Sequence, residues 1–482
     1  MLFSSPTFLF LFLPILLGGY FLVRDSLLNL LLLLASLIFY IWGEGTYVLV
    51  MLGIIGLNYA LGRALERIEG PGRRKLLLAA GVVINLGILV AFKYANFLVN
   101  NLNVLVGACG VSPIHLEPVH LPLGISFFTF HAISYIVDIS RRQVAAGGPL
   151  NFALYMTFFP HSIAGPIVRY SDIAGQLRKR VVTSHDFALG ARRFILGLAK
   201  KMLIANPVAQ VADTVFGLPG GELTAALSWL GIACYTLQIY FDFSGYSDMA
   251  IGLAKLFGID FLENFDHPYL SQSVTEFWRR WHISLSSWFR DYVYIPLGGN
   301  RRGSLRLYAN LLVVFCLCGM WHGASWNFLL WGLFHGGLLA FERVGYGRRL
   351  ETRWVPLRHA YTMLMVMIGW VLFRADSMEH AGTFLRAMAG LGTGTGRVYH
   401  PALYLDRLVI LAMVAGVLGS MPLLAWLART RDDLLESTGG WARSGFRAAF
   451  ALADVAALSL LFLASSMFLA AGTHNPFIYF RF

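Results

Sequence analysis

Charge is what this chain has least of, and that shortage excludes the most. Asp, Glu, Lys and Arg make up 13% of its 482 residues, while 57% are hydrophobic. A soluble domain carries about 25% charged residues. So few charges cannot cover a body of this size in water, and lipid is the solvent that accepts the surplus apolar surface. Cysteine is also scarce. Four thiols give no disulfide framework. Cys316 and Cys318, two apart on an expected helix, point about 200° away from each other and read as buried thiols rather than metal ligands. No HExxH, Cys/His ligand spacing, phosphate-binding glycine loop or Gly-x-Ser-x-Gly elbow occurs. No internal repeat marks the paired halves of a transporter, and no polar linker sets off a soluble domain. The charge that is present is unbalanced, 38 Lys and Arg against 26 Asp and Glu, a net +12. The basic residues sit in short loops between apolar runs, which is the membrane pattern, so no nucleic-acid partner is expected.

The apolar runs lie near 2–23, 26–42, 46–62, 76–92, 120–138, 187–205, 224–241, 306–321, 324–341, 359–373, 404–428 and 447–471. Crossing a bilayer takes about 20 residues, so the pattern predicts an all-α polytopic membrane protein with about 11 transmembrane helices plus re-entrant segments. The first run, Leu2 to Val23, has no basic stretch ahead of it and no small-residue cleavage site, and reads as a retained span. Arg63, Arg67, Arg73, Arg74 and Lys75 place the loop between the third and fourth runs in the cytoplasm. Counting back puts the N-terminus outside and Arg24 inside. Counting forward puts 93–120 outside and Arg141–Arg142 inside.

The middle of the chain departs from this rhythm. Residues 143–185 and 242–305 are rich in glycine, proline, aromatic and charged residues. Asn151 to Pro160, followed by His161, Gly165 and Pro166, reads as a broken, re-entrant segment. Irregular backbone at membrane depth survives only where protein or a water-filled cavity surrounds it, so the centre is expected to be a chamber. The chain then divides as one membrane domain, 1–482, with N-terminal helices over 1–142, a central core over 143–345 and C-terminal helices over 346–482.

Two histidines stand out. His322 lies in Gly319-Met-Trp-His-Gly-Ala-Ser-Trp326 between two apolar runs, with Arg301, Arg302 and Arg306 before them and Arg343, Arg348 and Arg349 after. If both outer ends share one side, 306–343 is a hairpin with His322 near its tip, roughly 24 Å from the basic end. An ionisable residue at that depth is a functional candidate, and an uncharged imidazole is the form a general base needs. A structural histidine bonded to a backbone carbonyl is the alternative. His282 lies in the stretch Glu276 to Asp291, where three tryptophans fall within 11 residues. On one continuous helix Trp278, His282 and Leu285 share a face, with Arg279, Arg280 and Arg290 nearby. That pattern suits an aromatic anchor at the membrane interface, or arginines that hold a phosphorylated ligand. Asp242 and Asp248 sit in an apolar setting and need partners. His161 either lines the chamber or satisfies a loop carbonyl. His335, about 20 Å beyond His322 along a helix, makes no local metal pair with it.

Several motifs occur in order: Leu121-Pro-Leu-Gly-Ile-Ser-Phe-Phe-Thr-Phe130, Phe158-Phe-Pro-His-Ser-Ile-Ala-Gly-Pro-Ile167 and Phe241-Asp-Phe-Ser-Gly-Tyr-Ser-Asp-Met249. They continue with Phe277-Trp-Arg-Arg-Trp-His-Ile-Ser-Leu-Ser286, Tyr294-Ile-Pro-Leu-Gly-Gly-Asn300, Met320-Trp-His-Gly323 and Asn475-Pro-Phe-Ile-Tyr-Phe480. Together they resemble the membrane-bound O-acyltransferase (MBOAT) family, in its bacterial alginate O-acetyltransferase branch, over nearly the whole chain. Ser162, where the pattern is apolar, and Arg481, where it carries Gln, depart from it.

The resemblance implies the MBOAT fold, a ring of tilted helices around a central tunnel, in a multi-pass protein of the bacterial inner membrane with a periplasmic N-terminus. It implies catalytic roles for His322 and His282, and acetyl-CoA as a cytoplasmic acyl donor held by Arg279, Arg280, Trp278 and Trp321, with no metal. The implied acceptor is an exopolysaccharide, alginate first, with peptidoglycan, cellulose or D-alanylation of teichoic acid as alternatives. The implied partner is a periplasmic protein of the SGNH-hydrolase type. A proton-coupled transporter, with buried histidines and carboxylates as its proton path, is the reading from another class.

Overall fold

A computed structural model describes residues 1–301, 303–472 and 474–476. Arg302, Arg481 and the last four residues of the tail motif, 477–480, lie outside the described residues. Those described form helices and connecting loops, with no strand among them. Thirteen helices position the central site: α1 (Leu28–Glu44), α2 (Val48–Arg67), α3 (Pro71–Lys93), α4 (Ile125–Ser140), α5 (Pro149–Thr157), α6 (Phe159–Ser162), α7 (Ser184–Ala199), α8 (Ala225–Leu256), α9 (Val274–Arg280), α10 (Ile283–Phe289), α11 (Ser304–His322), α12 (Trp326–Phe341) and α13 (Val355–Arg374).

By length and composition six described stretches suffice to cross a bilayer, among them α3, α11 and α13. A seventh joins Arg407–Gly419 to Leu423–Ser437 across a 62° bend, and Phe8–Leu22 and Ile125–Ser140 are shorter apolar helices. Leu76, Val83, Leu411 and Leu452 are among many large apolar side chains exposed on the outer helices, the surface a multi-pass membrane protein offers to lipid.

The core is solvated by protein instead. α8 has 32 residues, nearly all buried, and it carries Asp242 and Asp248. The sequence reading ended the apolar run at 241 and expected irregular chain beyond. The helix continues because α7 and the residues just after it supply counter-charges. Gly190 and Gly197 of α7 face Gly252 and Gly245 of α8 so closely that a Cβ on Gly197 would fall 2.5 Å from the Gly245 carbonyl oxygen. That approach brings Lys201 Nζ to 2.5 Å from Asp242, and Arg193 and Lys200 to 2.7 and 2.6 Å from Asp248. Two carboxylates with no evident role thus become the ionic locks of a helix pair.

The broken segment is found as expected. α5 stops at Thr157, the chain turns at Phe158, α6 lasts one turn, and an irregular stretch follows. His161 is fully buried there and its Nε2 donates to the Tyr155 carbonyl at 2.7 Å, so the carbonyl it satisfies belongs to the last turn of α5 and not to a loop. Ser162 is buried beside it, with its hydroxyl directed at the Phe159 carbonyl.

The hairpin is also found. α11 and α12 are antiparallel neighbours joined by three residues, 323–325. A Cβ on Gly319 would overlap the Phe328 carbonyl oxygen, and one on Gly332 would overlap that of Phe315. Only hydrogen fits at these crossings, and small residues let membrane helices touch backbone to backbone. Gly319→Ala is therefore expected to destabilise the protein by about 1–3 kcal/mol through overpacking, seen as a lower unfolding midpoint in detergent.

Candidate active site

His322 is the last residue of α11. At 19 residues the helix is about 28 Å long, so this side chain stands on the far side of the protein from Arg301 and Arg306. Gly323 is extended and ends the helix. His322 is 9% exposed, and it is one of the residues that line a 430 Å³ cavity, with Glu44, Lys93, His120, Ile163 and Trp321. Its other neighbours are the rings of Trp321, Phe373 and Trp331, with centroids 4.8, 5.1 and 5.2 Å away. Trp331 also lies 5.1 Å from His335. The hairpin thus returns His335 to the neighbourhood of His322, which linear spacing along one helix did not suggest.

His282 occupies a break. The stretch read as one helix is two, α9 and α10, and His282 sits between them with φ +45° and ψ +54°. A non-glycine residue in the left-handed region costs roughly 1–3 kcal/mol and persists only where its surroundings hold it. Asn264 does the holding. Its carbonyl accepts from Ile283 N at 3.0 Å, its Oδ1 accepts from Ser284 N and Oγ at 3.3 and 2.9 Å, and its Nδ2 donates to Ser247 Oγ at 3.0 Å. With Oδ1 the acceptor, His282 Nδ1 at 3.0 Å must donate to it, which leaves the lone pair on Nε2.

The break also dissolves the shared face expected for Trp278, His282 and Leu285. Trp278 instead donates Nε1 to His335 Nδ1 at 3.3 Å. His282 and His322 flank the same ring, since Trp321 is 6.1 Å from one and 4.8 Å from the other. The indole N–H groups of Trp321 and Trp331, both buried, have no acceptor among the described residues.

A second path approaches from the basic face. A 960 Å³ cavity there is lined by Arg279, Arg280, Arg343, Arg348 and Arg358. It shares Thr275, Arg279, Leu339 and Arg343 with a narrower space of 260 Å³ walled by Trp278, Leu285, Phe289, Phe315 and Cys318. Cys318 lies one turn, about 6 Å, before His322 on α11. Of the two arginines singled out in the sequence, Arg280 is engaged by Glu276 at 3.0 Å and Asp266 at 3.4 Å. Arg279 makes no ion pair among the described residues, and nor does Arg343. The buried Glu342 carboxylate accepts from Val274 N, Thr275 N and Thr275 Oγ1 at 2.7, 2.9 and 2.6 Å. It caps the N-terminus of α9, where a negative charge is favoured, and so fixes the helix that carries Arg279. Among the described residues no cluster of three metal-ligating side chains occurs.

The structure thus gathers His322, His282 and Trp321 at one point and sets Trp278 and Arg279 along the path from the basic face. Asn264, Ser247, Ser284 and Glu44 are site residues that sequence reasoning did not single out. Ser247 and Ser284 lie inside motifs quoted above. Asn264 and Glu44 carry no periodic or spacing signal, because only the fold brings them to the histidines.

Residues 126–378 match the family described as MBOAT, membrane-bound O-acyltransferase. The chain is 42% identical to a protein of Azotobacter vinelandii named probable alginate O-acetylase AlgI, over 100% of both chains. It is 47% identical to a protein of the same name from Pseudomonas syringae pv. tomato, over 81% of this chain and 76% of that one. It is 36% identical to a Helicobacter pylori protein named peptidoglycan O-acetyltransferase, over 81% of this chain and 80% of that one. With a buried histidine set between cavities on two sides, and with these likenesses along its length, the chain belongs to the membrane-bound O-acyltransferase family.

Proposed function

We propose that this enzyme takes acetyl from acetyl-CoA at its basic face and passes it, at His322, to a hydroxyl that enters from the opposite face. One observation carries the reading: His322 lines the 430 Å³ cavity on one side, and the arginine-mouthed path ends one helical turn from it on the other. In this reading the basic face, where positive loop charge is concentrated, is cytoplasmic and the N-terminus periplasmic, in a protein of the bacterial inner membrane. The wide mouth suits the phosphates of coenzyme A, which arginine binds in fork geometry. The narrow apolar space beyond suits its pantetheine arm.

In the reaction the acceptor hydroxyl attacks the thioester carbonyl. His322 removes the hydroxyl proton and returns it to the departing CoA thiolate as the C–S bond breaks. His282, held at the break between α9 and α10 by its Nδ1 bond to Asn264, helps place the acyl group. The buried indole N–H groups of Trp321 and Trp331 are donors suited to a developing oxyanion, where each such donor typically contributes about 10²–10³ in rate. The acceptor is an exopolysaccharide, alginate first on the strength of the relatives so named. A periplasmic SGNH-hydrolase-type protein is the partner that would carry the group onward. Peptidoglycan is the second acceptor, favoured by the Helicobacter pylori relative.

Purified protein given radiolabelled acetyl-CoA and its acceptor should release CoA in a His322-dependent manner, and no such release would overturn the reading. The donor side has its own test. Arg279→Gln with Arg343→Gln should raise KM for acetyl-CoA by about 10–100-fold, the worth of one charge-assisted hydrogen bond, with kcat changed less. Acetyl-pantetheine, which lacks the nucleotide phosphates, should be used equally well by both proteins. An equal loss with both donors would remove these arginines from the phosphate site.

A further inference from the structure

A helix end leaves its last four carbonyls without intrahelical partners. At α11 those carbonyls belong to the turn that carries His322, and they end inside the protein. A left-handed residue after the helix commonly closes such an end, but Gly323 is extended here, with φ −166°. Its N–H reaches only the Gly319 carbonyl, at 3.3 Å.

The next three carbonyls are closed from another helix. Tyr94 Oη donates to the Met320 carbonyl. Lys93 Nζ donates to those of Trp321 and His322, at 2.5 and 3.2 Å. The third ammonium donor points to Ser126 Oγ at 3.4 Å. Lys93, the last residue of α3 and 229 positions from His322, and Tyr94 just after it therefore account for the last three carbonyls of the turn. A cation at a helix C-terminus is favoured by the helix dipole, yet a charge at membrane depth is costly and marks function more often than packing. Lys93 also lines the same 430 Å³ cavity as His322.

We propose that Lys93, assisted by Tyr94, is a positioning residue that pins the last turn of α11 so that the His322 ring stays between the two cavities. The proposal rests on the reading that His322 carries the transfer. Without the clamp the terminal turn frays and the imidazole leaves the line between donor and hydroxyl.

The test is steady-state kinetics on the purified full-length protein with acetyl-CoA, comparing wild type, Lys93→Met, Lys93→Arg, Tyr94→Phe and His322→Ala. Lys93→Met should lose about 10²-fold in kcat, the size of effect that a misplacement of about 1 Å produces, with KM for acetyl-CoA within about twofold of wild type. Lys93→Arg, which can still donate to adjacent carbonyls, should recover to within about tenfold, and Tyr94→Phe should lose about threefold to tenfold in kcat alone. Wild-type kcat in Lys93→Met overturns the proposal, as does a loss that Arg does not rescue. If Lys93→Met does not fold, Lys93→Arg and Tyr94→Phe decide, and wild-type kcat in both overturns it. Activity retained in His322→Ala would sink the underlying reading instead, whereas an inactive His322→Ala beside a fully active Lys93→Met sinks only the clamp.

Discussion

Glutamine at position 322 is expected to lower acetyl transfer by about 10²–10⁴-fold, the usual contribution of a general base, while leaving the unfolding midpoint in detergent near that of wild type. The contrast between the two readouts matters more than either alone. Glutamine is close to histidine in size, so it keeps most of the packing against Trp321, Trp331 and Phe373 and still loses the proton transfer. His322→Ala should show the same loss of rate together with a lower midpoint, because truncation empties space among those rings and a cavity in a packed core is destabilising. A histidine with only a packing role would give the fall in midpoint with alanine and no loss of rate with glutamine.

The second large effect is on stability. Lys201 and Asp242 are 1% and 4% exposed in their side chains and 2.5 Å apart. Asp242→Asn leaves Lys201 charged and buried beside a weaker partner, and breaking a buried pair costs about 3–5 kcal/mol. Lys201 also donates to the Pro476 carbonyl at 2.7 Å, so the C-terminal segment is tied to the same group. The expected outcome is a large fall in the unfolding midpoint, or failure to accumulate in the membrane. Replacing both residues together with Met and Leu should recover most of the loss, since a well-packed apolar pair of similar volume is often neutral or better. A double variant as unstable as the single one would show that the pair has a role beyond mutual neutralisation.

The sequence made the membrane class legible through its shortage of charge, and it made the α11–α12 hairpin legible because arginines flank two apolar runs with His322 at their junction. His322 could be singled out for the same reason. What it did not disclose was mostly non-local. The stretch around His282 has the composition of one helix, and the break at 282 exists because Asn264, 18 positions away, holds the turn. Asp242 and Asp248 looked like the start of irregular chain, and only the glycine-to-glycine approach of α7 and α8 shows why a helix tolerates them. Lys93 looked like the first residue of an outward loop. Its carbonyl partners on α11 are 228 and 229 positions away, and no spacing rule reaches that far.

The most direct measurement uses proteoliposomes in which the protein is oriented one way. Labelled acetyl-CoA is supplied only to the compartment that faces Arg279 and Arg343, and the acceptor only to the compartment that faces Glu44 and His120. Label should reach the acceptor across the bilayer with His322 intact and not with His322→Ala. Transfer that occurs only when donor and acceptor share a compartment, or that continues without the imidazole, would contradict a passage centred on His322.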